Sequence, residues 1–177
     1  MKQIKSSRFS LLLIVLALAL FQAGCRYSFT GASIGAEYRT VRVNFIENRA
    51  PYVNPQLSPN LTDRIRQKII NQTRLVQTNN EDTHYDIKGT ITDYSVTTTG
   101  ITSANGQSQT SINRLNVTVQ VSLIDVLKKG EGSKDFSVTR QFDFSASQSI
   151  QQAESQLLDE MVRNLTDEIF NRLFSDW

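Results

Sequence analysis

The chain has one cysteine, one histidine, one tryptophan and three prolines in 177 residues. One thiol allows no disulfide within the chain, so an ordinary apolar core must hold the fold. One imidazole, His84, leaves a nucleophile triad a single possible base and leaves a zinc site without its usual set of donors. His84 reads instead as a surface or edge residue at the start of a strand. No glycine-rich phosphate loop is present, because the Gly130 to Gly132 pair lacks a following lysine-serine pair and a helix start. Glycoside chemistry needs two carboxylates, and Asp86 and Asp93 lie near each other on one predicted strand, but no groove of aromatic residues accompanies them. These absences leave no catalytic residues, metal ligands or cofactor to name.

Strong positive charge is missing as well. The whole chain has 19 basic and 17 acidic residues, but Lys2, Lys5 and Arg8 cluster at its start. An apolar run over residues 9–21 follows, then Ala23-Gly24-Cys25. That order of charge, apolar run and small residues is the layout of a secretory signal, and the run is shorter than the roughly 20 apolar residues of a membrane-spanning helix. A plain secretory signal would leave Cys25 an incidental thiol in an oxidising compartment with nothing to pair with. The pattern resembles the bacterial lipobox, in which the cysteine becomes the first mature residue and takes a diacylglyceryl group on its sulfur. Gln22 departs from that pattern, which has an aliphatic residue three places before the cysteine. Arg26 stands where an aspartate would resemble a signal for inner-membrane retention, so the expected address is the periplasmic face of the outer membrane. The expected organisation is a signal peptide over residues 1–24, a lipidated tether over 25–36, and a single α/β sandwich domain over 37–177. Without the leader 16 basic residues face 17 acidic ones, which gives nucleic acid no excess of cations to bind.

Periodicity then divides the remaining chain. Val41, Val43 and Phe45 alternate with Arg42, Asn44 and Ile46, the period of a strand. Two prolines in residues 48–55 end it. Ser58-Pro59 offers a capping hydroxyl and a first-turn proline, and Leu61, Ile65 and Ile69 repeat at helical spacing, which predicts a helix over 59–72. Leu75-Val76 is a candidate strand opening. From His84 to about Thr99 the chain is strand-like, with Ile87, Gly89 and Ile91 in one phase and Tyr94 and Val96 in the other. The slip near Thr92 and Asp93 predicts a β-bulge or a change of buried face. A polar loop over 100–113, with Gly106 as its turn, leads to the clearest alternation in the chain: Leu115, Val117, Val119, Val121 and Leu123. Residues 128–132 read as a hairpin turn, and Phe136, Val138, Phe142 and Phe144 resume the alternation. A long amphipathic helix runs from Ile150 to Leu173, opened by Ser149 and Gln152 as a capping box. The fold class read from this order is α+β, a mostly antiparallel four-stranded sheet with two helices packed on one face, in the order β-α-β-β-β-α.

The sheet face opposite the helices is the candidate surface. Asn116, Thr118, Gln120 and Ser122 on one strand, with Ser137, Thr139 and Gln141 on the next, make it neutral and polar. Water alone would suit such a face, since threonines favour strands. A wet protein surface would suit it equally, because full charges cost much to desolvate unless paired.

Cys25 with "YSFTGASI" after it, "VNFIENRAPYVNPQLSPNLTDRIRQKIINQTRL" and "YDIKGTITDYSV" together resemble the lipopolysaccharide-assembly lipoproteins of LptE type, over essentially the whole mature chain. The resemblance implies a non-enzymatic, helix-backed sheet seated as a plug inside a large outer-membrane β-barrel (LptD-like), helping the barrel assemble and pass lipopolysaccharide to the outer leaflet. It also implies lipopolysaccharide as a ligand. Arg114, at the end of the polar loop, and Lys128, Lys129 and Lys134, around the next turn, are the candidate contacts, because a phosphorylated head group favours clustered cations. Two other readings stay open: a scaffold or pilot lipoprotein of another envelope machine, and a periplasmic hydrolase built on Asp86 and Asp93.

Overall fold

A computed structural model describes residues 34–99, 111–129 and 131–174. The leader, Cys25, most of the tether, Gly106 with nearly all of its loop, and Gly130 lie outside the described residues. Eight elements follow one another: β1 (Thr40–Val43), β2 (Glu47–Asn48), α1 (Leu57–Gln72), β3 (Val76–Gln77), β4 (Tyr85–Thr99), β5 (Ile112–Asp125), β6 (Lys134–Ser145) and α2 (Ile150–Phe174). No helix among the described residues is long and apolar enough to cross a membrane.

The sheet has six strands in the order β3-β1-β4-β5-β6, with β2 paired to β4 beyond the end of β1. This corrects the expected four-stranded, mostly antiparallel sheet. β4, β5 and β6 are antiparallel neighbours, as turns between successive strands require. β1 pairs in parallel with both β3 and β4, and β2 pairs in parallel with β4. The parallel half arises because β1 leads into α1, whose crossover returns the chain to the end from which β1 set out.

One face of this sheet is apolar. Leu115, Val117, Val119, Val121 and Leu123 of β5 are buried, flanked by Ile87, Ile91 and Tyr94 of β4 and Val138, Phe142 and Phe144 of β6. Leu57, Leu61, Ile65 and Ile69 of α1 close on it, as do Met161, Leu165, Ile169 and Leu173 of α2. The phase slip in β4 is a bulge: the register shifts between Ile91 and Asp93, and the extra residue keeps Tyr94 on the buried side.

Three local expectations change. Phe45 is exposed and Ile46 is buried. β1 has already left the ladder there, and the Ile46 N–H turns inward to the Thr62 hydroxyl at 3.1 Å. α1 begins at Leu57, and Ser58 does not cap it. Its hydroxyl is buried without a partner among the described residues, and the turn before the helix is made by Asn54, whose Oδ1 accepts the Gln56 N–H at 2.9 Å. The strand after the polar loop starts at Ile112, inside the span read as loop. The capping box of α2 forms as read, with the Gln152 N–H donating to Ser149 Oγ at 3.3 Å and the Ser149 N–H to Gln152 Oε1 at 3.1 Å.

Candidate functional site

Alternation along β5 and β6 turns Asn116, Thr118, Gln120, Ser122, Thr139 and Gln141 to the face away from the helices. Register sets Asn116 opposite Gln141, Thr118 opposite Thr139 and Gln120 opposite Ser137. The Thr118 and Thr139 hydroxyls are 3.0 Å apart, and the Asn116 amide donates to Thr97 Oγ1 at 3.3 Å. β4 adds a row that sequence reasoning did not include: Thr90, Asp93, Ser95 and Thr97 lie opposite Gln120, Thr118, Asn116 and Arg114. The same alternation carried the signal for it, read across the bulge.

Charges on this face are matched within the sheet. Arg114 donates to both oxygens of Asp143, at 2.7 and 2.9 Å. The guanidinium holds the Asp143 carboxyl below the ordinary carboxylate range. Arg42 grips Asp86 in the same bidentate way at 2.9 Å, and the Asn44 amide donates to Asp86 at 2.6 Å. Asp86 is likewise held below its ordinary value, chiefly by Arg42 and then by Asn44, against the opposing effect of its burial. Asp135 accepts from the Ser122 hydroxyl. The result is a hydroxyl and amide surface on which Arg42 and Arg114 are paired with carboxylates, while Asp93 accepts from the Ser95 hydroxyl.

The four candidate cations do not form one cluster. Arg114 sits near the start of β5 and Lys128 beyond its end, about 35 Å away at the rise of a strand. The long strand separates residues that lie close in sequence. Lys128, Lys129 and Lys134 do gather at the β5–β6 turn. There Lys128 Nζ lies 4.0 Å from Asp125 Oδ2 and 6.0 Å from the centre of the Tyr38 ring. The Tyr38 hydroxyl donates to Asp125 at 2.6 Å, which raises its pKa. Tyr38 stacks on Tyr85 with ring centres 4.3 Å apart. Beside them a cleft of about 150 Å³ is lined by Ile34, Tyr85, Lys128, Lys134 and Phe174, among others.

The residues weighed for catalysis are placed otherwise. His84 Nδ1 accepts the Arg39 N–H at 2.7 Å, which ties the start of β1 to β4. Asp86 and Asp93 are roughly 20 Å apart along the strand, too far to flank one bond. Among the described residues no group of His, Cys, Asp or Glu is arranged to hold a metal ion. A wider groove of about 520 Å³ runs between the helices, but it is lined by interleaved charges, Asp63 and Asp159 with Arg64 and Arg163. Glu154, near the start of α2, accepts from the Tyr94 hydroxyl at 2.8 Å and the Tyr52 hydroxyl at 3.3 Å, which ties the helix to β4 and to the segment before α1.

These features define an α+β domain, a mixed sheet backed by two helices, whose distinctive chemistry lies on exposed surfaces. Residues 38–173 match the model of the LptE lipopolysaccharide-assembly family, and the chain belongs to that family. Its work is therefore in lipopolysaccharide assembly. No curated protein sequence matches it. Among solved structures, the hypothetical protein CT253 from Chlamydia trachomatis is 14% identical, with 77% of this chain and 95% of that one covered and a TM-score of 0.50. At that identity the likeness is one of fold. Rare lipoprotein B from Shewanella oneidensis is 13% identical over 76% of this chain and 93% of its own, at a TM-score of 0.44. A minor lipoprotein from Acinetobacter baumannii is 16% identical over 78% and 97%, at 0.38.

Proposed function

We propose that this protein is an outer-membrane lipoprotein, acylated at Cys25 and facing the periplasm, that seats as a plug in the lumen of an LptD-like β-barrel. It acts there as an assembly factor without chemistry of its own, helping the barrel to form and to pass lipopolysaccharide to the outer leaflet. Residues 1–24 are removed, residues 25–36 serve as the tether, and the folded domain follows.

The observation that carries this reading is the polar sheet face. Its centre on β5 and β6 is neutral, from Asn116 to Ser122 and from Ser137 to Gln141; Arg42 and Arg114 are paired with Asp86 and Asp143, and Asp93 on β4 accepts from the Ser95 hydroxyl. Such a surface keeps its hydrogen-bonding capacity against a wet wall, with its cations already paired and few charges left to desolvate. Lys128, Lys129 and Lys134 form the anion-facing end of the domain, while Arg114, committed to Asp143, stands apart from it.

The test is capture of the mature lipidated protein from outer membranes in mild detergent, with mass spectrometry of what accompanies it. One large β-barrel at equal stoichiometry, with this protein protected from protease, is the expected result. Recovery with a secretion or cell-wall complex instead would make it a scaffold or pilot lipoprotein of another machine.

A further inference from the structure

The β5–β6 turn joins two features that the plug reading leaves unused. Val126 and Leu127 are exposed apolar side chains, Leu127 at 47% of its full accessibility. They adjoin Lys128 and Lys129, and Lys134 follows at the start of β6. A main-chain bond from the Lys129 N–H to the Val126 carbonyl at 3.1 Å folds these residues into one tight tip. Lys129 takes a positive φ of 52° there, a conformation a residue with a side chain rarely adopts. The acids of this end are Asp125, Glu131, Asp135 and Glu37. Asp125 is buried and engaged by the Tyr38 hydroxyl and the Lys128 N–H, and Asp135 by the Ser122 hydroxyl. Glu131, Glu37 and Asp135 are the exposed acids beside three lysines, Asp135 held by the Ser122 hydroxyl.

The position of the N-terminal segment says what this tip meets. Ile34 lines the same cleft as Lys128 and Lys134, and Tyr38 packs over Lys128. The tether therefore leaves the domain beside the turn. From Ile34 back to Cys25 the chain reaches at most about 30 Å when fully extended. If Cys25 carries the acyl chains, as the proposed function holds, this end of the domain is leashed to the leaflet, while the segment before α1, with its exposed Val53, lies further along β4 beside Tyr94.

We propose that the β5–β6 turn docks on the periplasmic leaflet, with Val126 and Leu127 entering the boundary between head groups and acyl chains and Lys128 and Lys129 meeting the phosphates of anionic phospholipids. An apolar tip flanked by cations is the composition that partitions into that zone. The acyl anchor supplies retention, and the turn supplies a second contact point that fixes the tilt of the domain on the membrane.

The experiment uses the mature acylated protein, its acyl mass confirmed, in vesicles of phosphatidylethanolamine and phosphatidylglycerol. Leu127→Cys provides one labelling site for an environment-sensitive fluorophore, since the sulfur of Cys25 is taken. Val53→Cys and Gln141→Cys serve as comparisons. The label at 127 should be quenched by nitroxide lipids and shielded from aqueous iodide, and those at 53 and 141 should show the reverse. Replacing phosphatidylglycerol with phosphatidylethanolamine, or making Lys128→Gln with Lys129→Gln, should weaken the lipid quenching at 127. Iodide access at 127 equal to that at 53 would overturn the proposal. Shielding that appears only after lipopolysaccharide is added would also overturn it, by making that lipid the occupant. Separately, Leu127→Asp should still be captured with the barrel one to one; loss of capture would mean that the turn faces the barrel, overturning the leaflet contact while leaving the plug standing.

Discussion

At Gly89 the missing side chain is a packing requirement. A Cβ built there lies 2.9 Å from Ile46 Cγ1, the residue whose inward turn ends the first strand region. Gly89→Ala should cost about 1–3 kcal/mol through this overpacking, read as a lower urea midpoint at an unchanged slope. Asp86 gives a pH dependence. Its carboxyl titrates below its ordinary value when folded, so its contribution is complete above the unfolded pKa of about 3.9 and is lost as the pH falls through the folded one. Urea midpoints measured from pH 6 downward should therefore fall in acid, and Asp86→Asn should flatten that fall while lowering the midpoint at pH 6. At this scale the sequence was an uneven guide. His84, read as a surface or edge residue, is half-buried at the start of an interior strand, and the grip of Arg42 on Asp86 depends on β1 lying beside β4. Ser58 was misread because a good capping residue type says nothing about whether its hydroxyl faces the free N–H groups or the core.

Elements with long, clean periods were legible. β5 and α2 have apolar residues in register over their whole lengths, and the structure buries them on one side. The bulge of β4 was legible too, because a strand has period two and one extra residue reverses every later side chain. Deleting Thr92 alone should therefore leave Tyr94 in its place, since Ile91, Asp93 and Tyr94 then pair as a regular ladder, whereas deleting Thr92 and Asp93 together should turn Tyr94 away from Glu154 and Asn54. The double deletion should lose cooperative thermal unfolding, whereas the single deletion should keep it. The α2 cap gives a milder test: Ser149→Ala with Gln152→Ala should cost about 1 kcal/mol by denaturant titration. β2 escaped sequence reading, and β3 was legible only as the strand opening at Leu75-Val76, because strands of two residues contain no measurable period. They are defined by the backbone they touch.

At the scale of the whole molecule, the polar face and the cationic turn are separate regions, and variants should separate their effects. Thr139 is exposed midway along β6, opposite Thr118. Thr139→Lys should change stability by less than about 0.5 kcal/mol, as surface changes do, yet abolish barrel capture by placing an unpaired charge against the partner. Unfolding titration and the pull-down, run on the same preparation, would show the two effects apart. Unchanged capture would remove this face from the interface.

The sequence by itself determined which residues form the long strands and helices, which side of each meets the core, and that one sheet face is neutral and polar. Those properties follow from local periodicity, because burial selects apolar side chains at the repeat of each element. Only the tertiary structure decided that the sheet is mixed, that Arg114 stands a strand's length from the three lysines, and that Ile34 emerges beside the β5–β6 turn. Each depends on which distant segments become neighbours, and a crossover through α1 settles that by returning the chain to its starting end before the next strand is laid down.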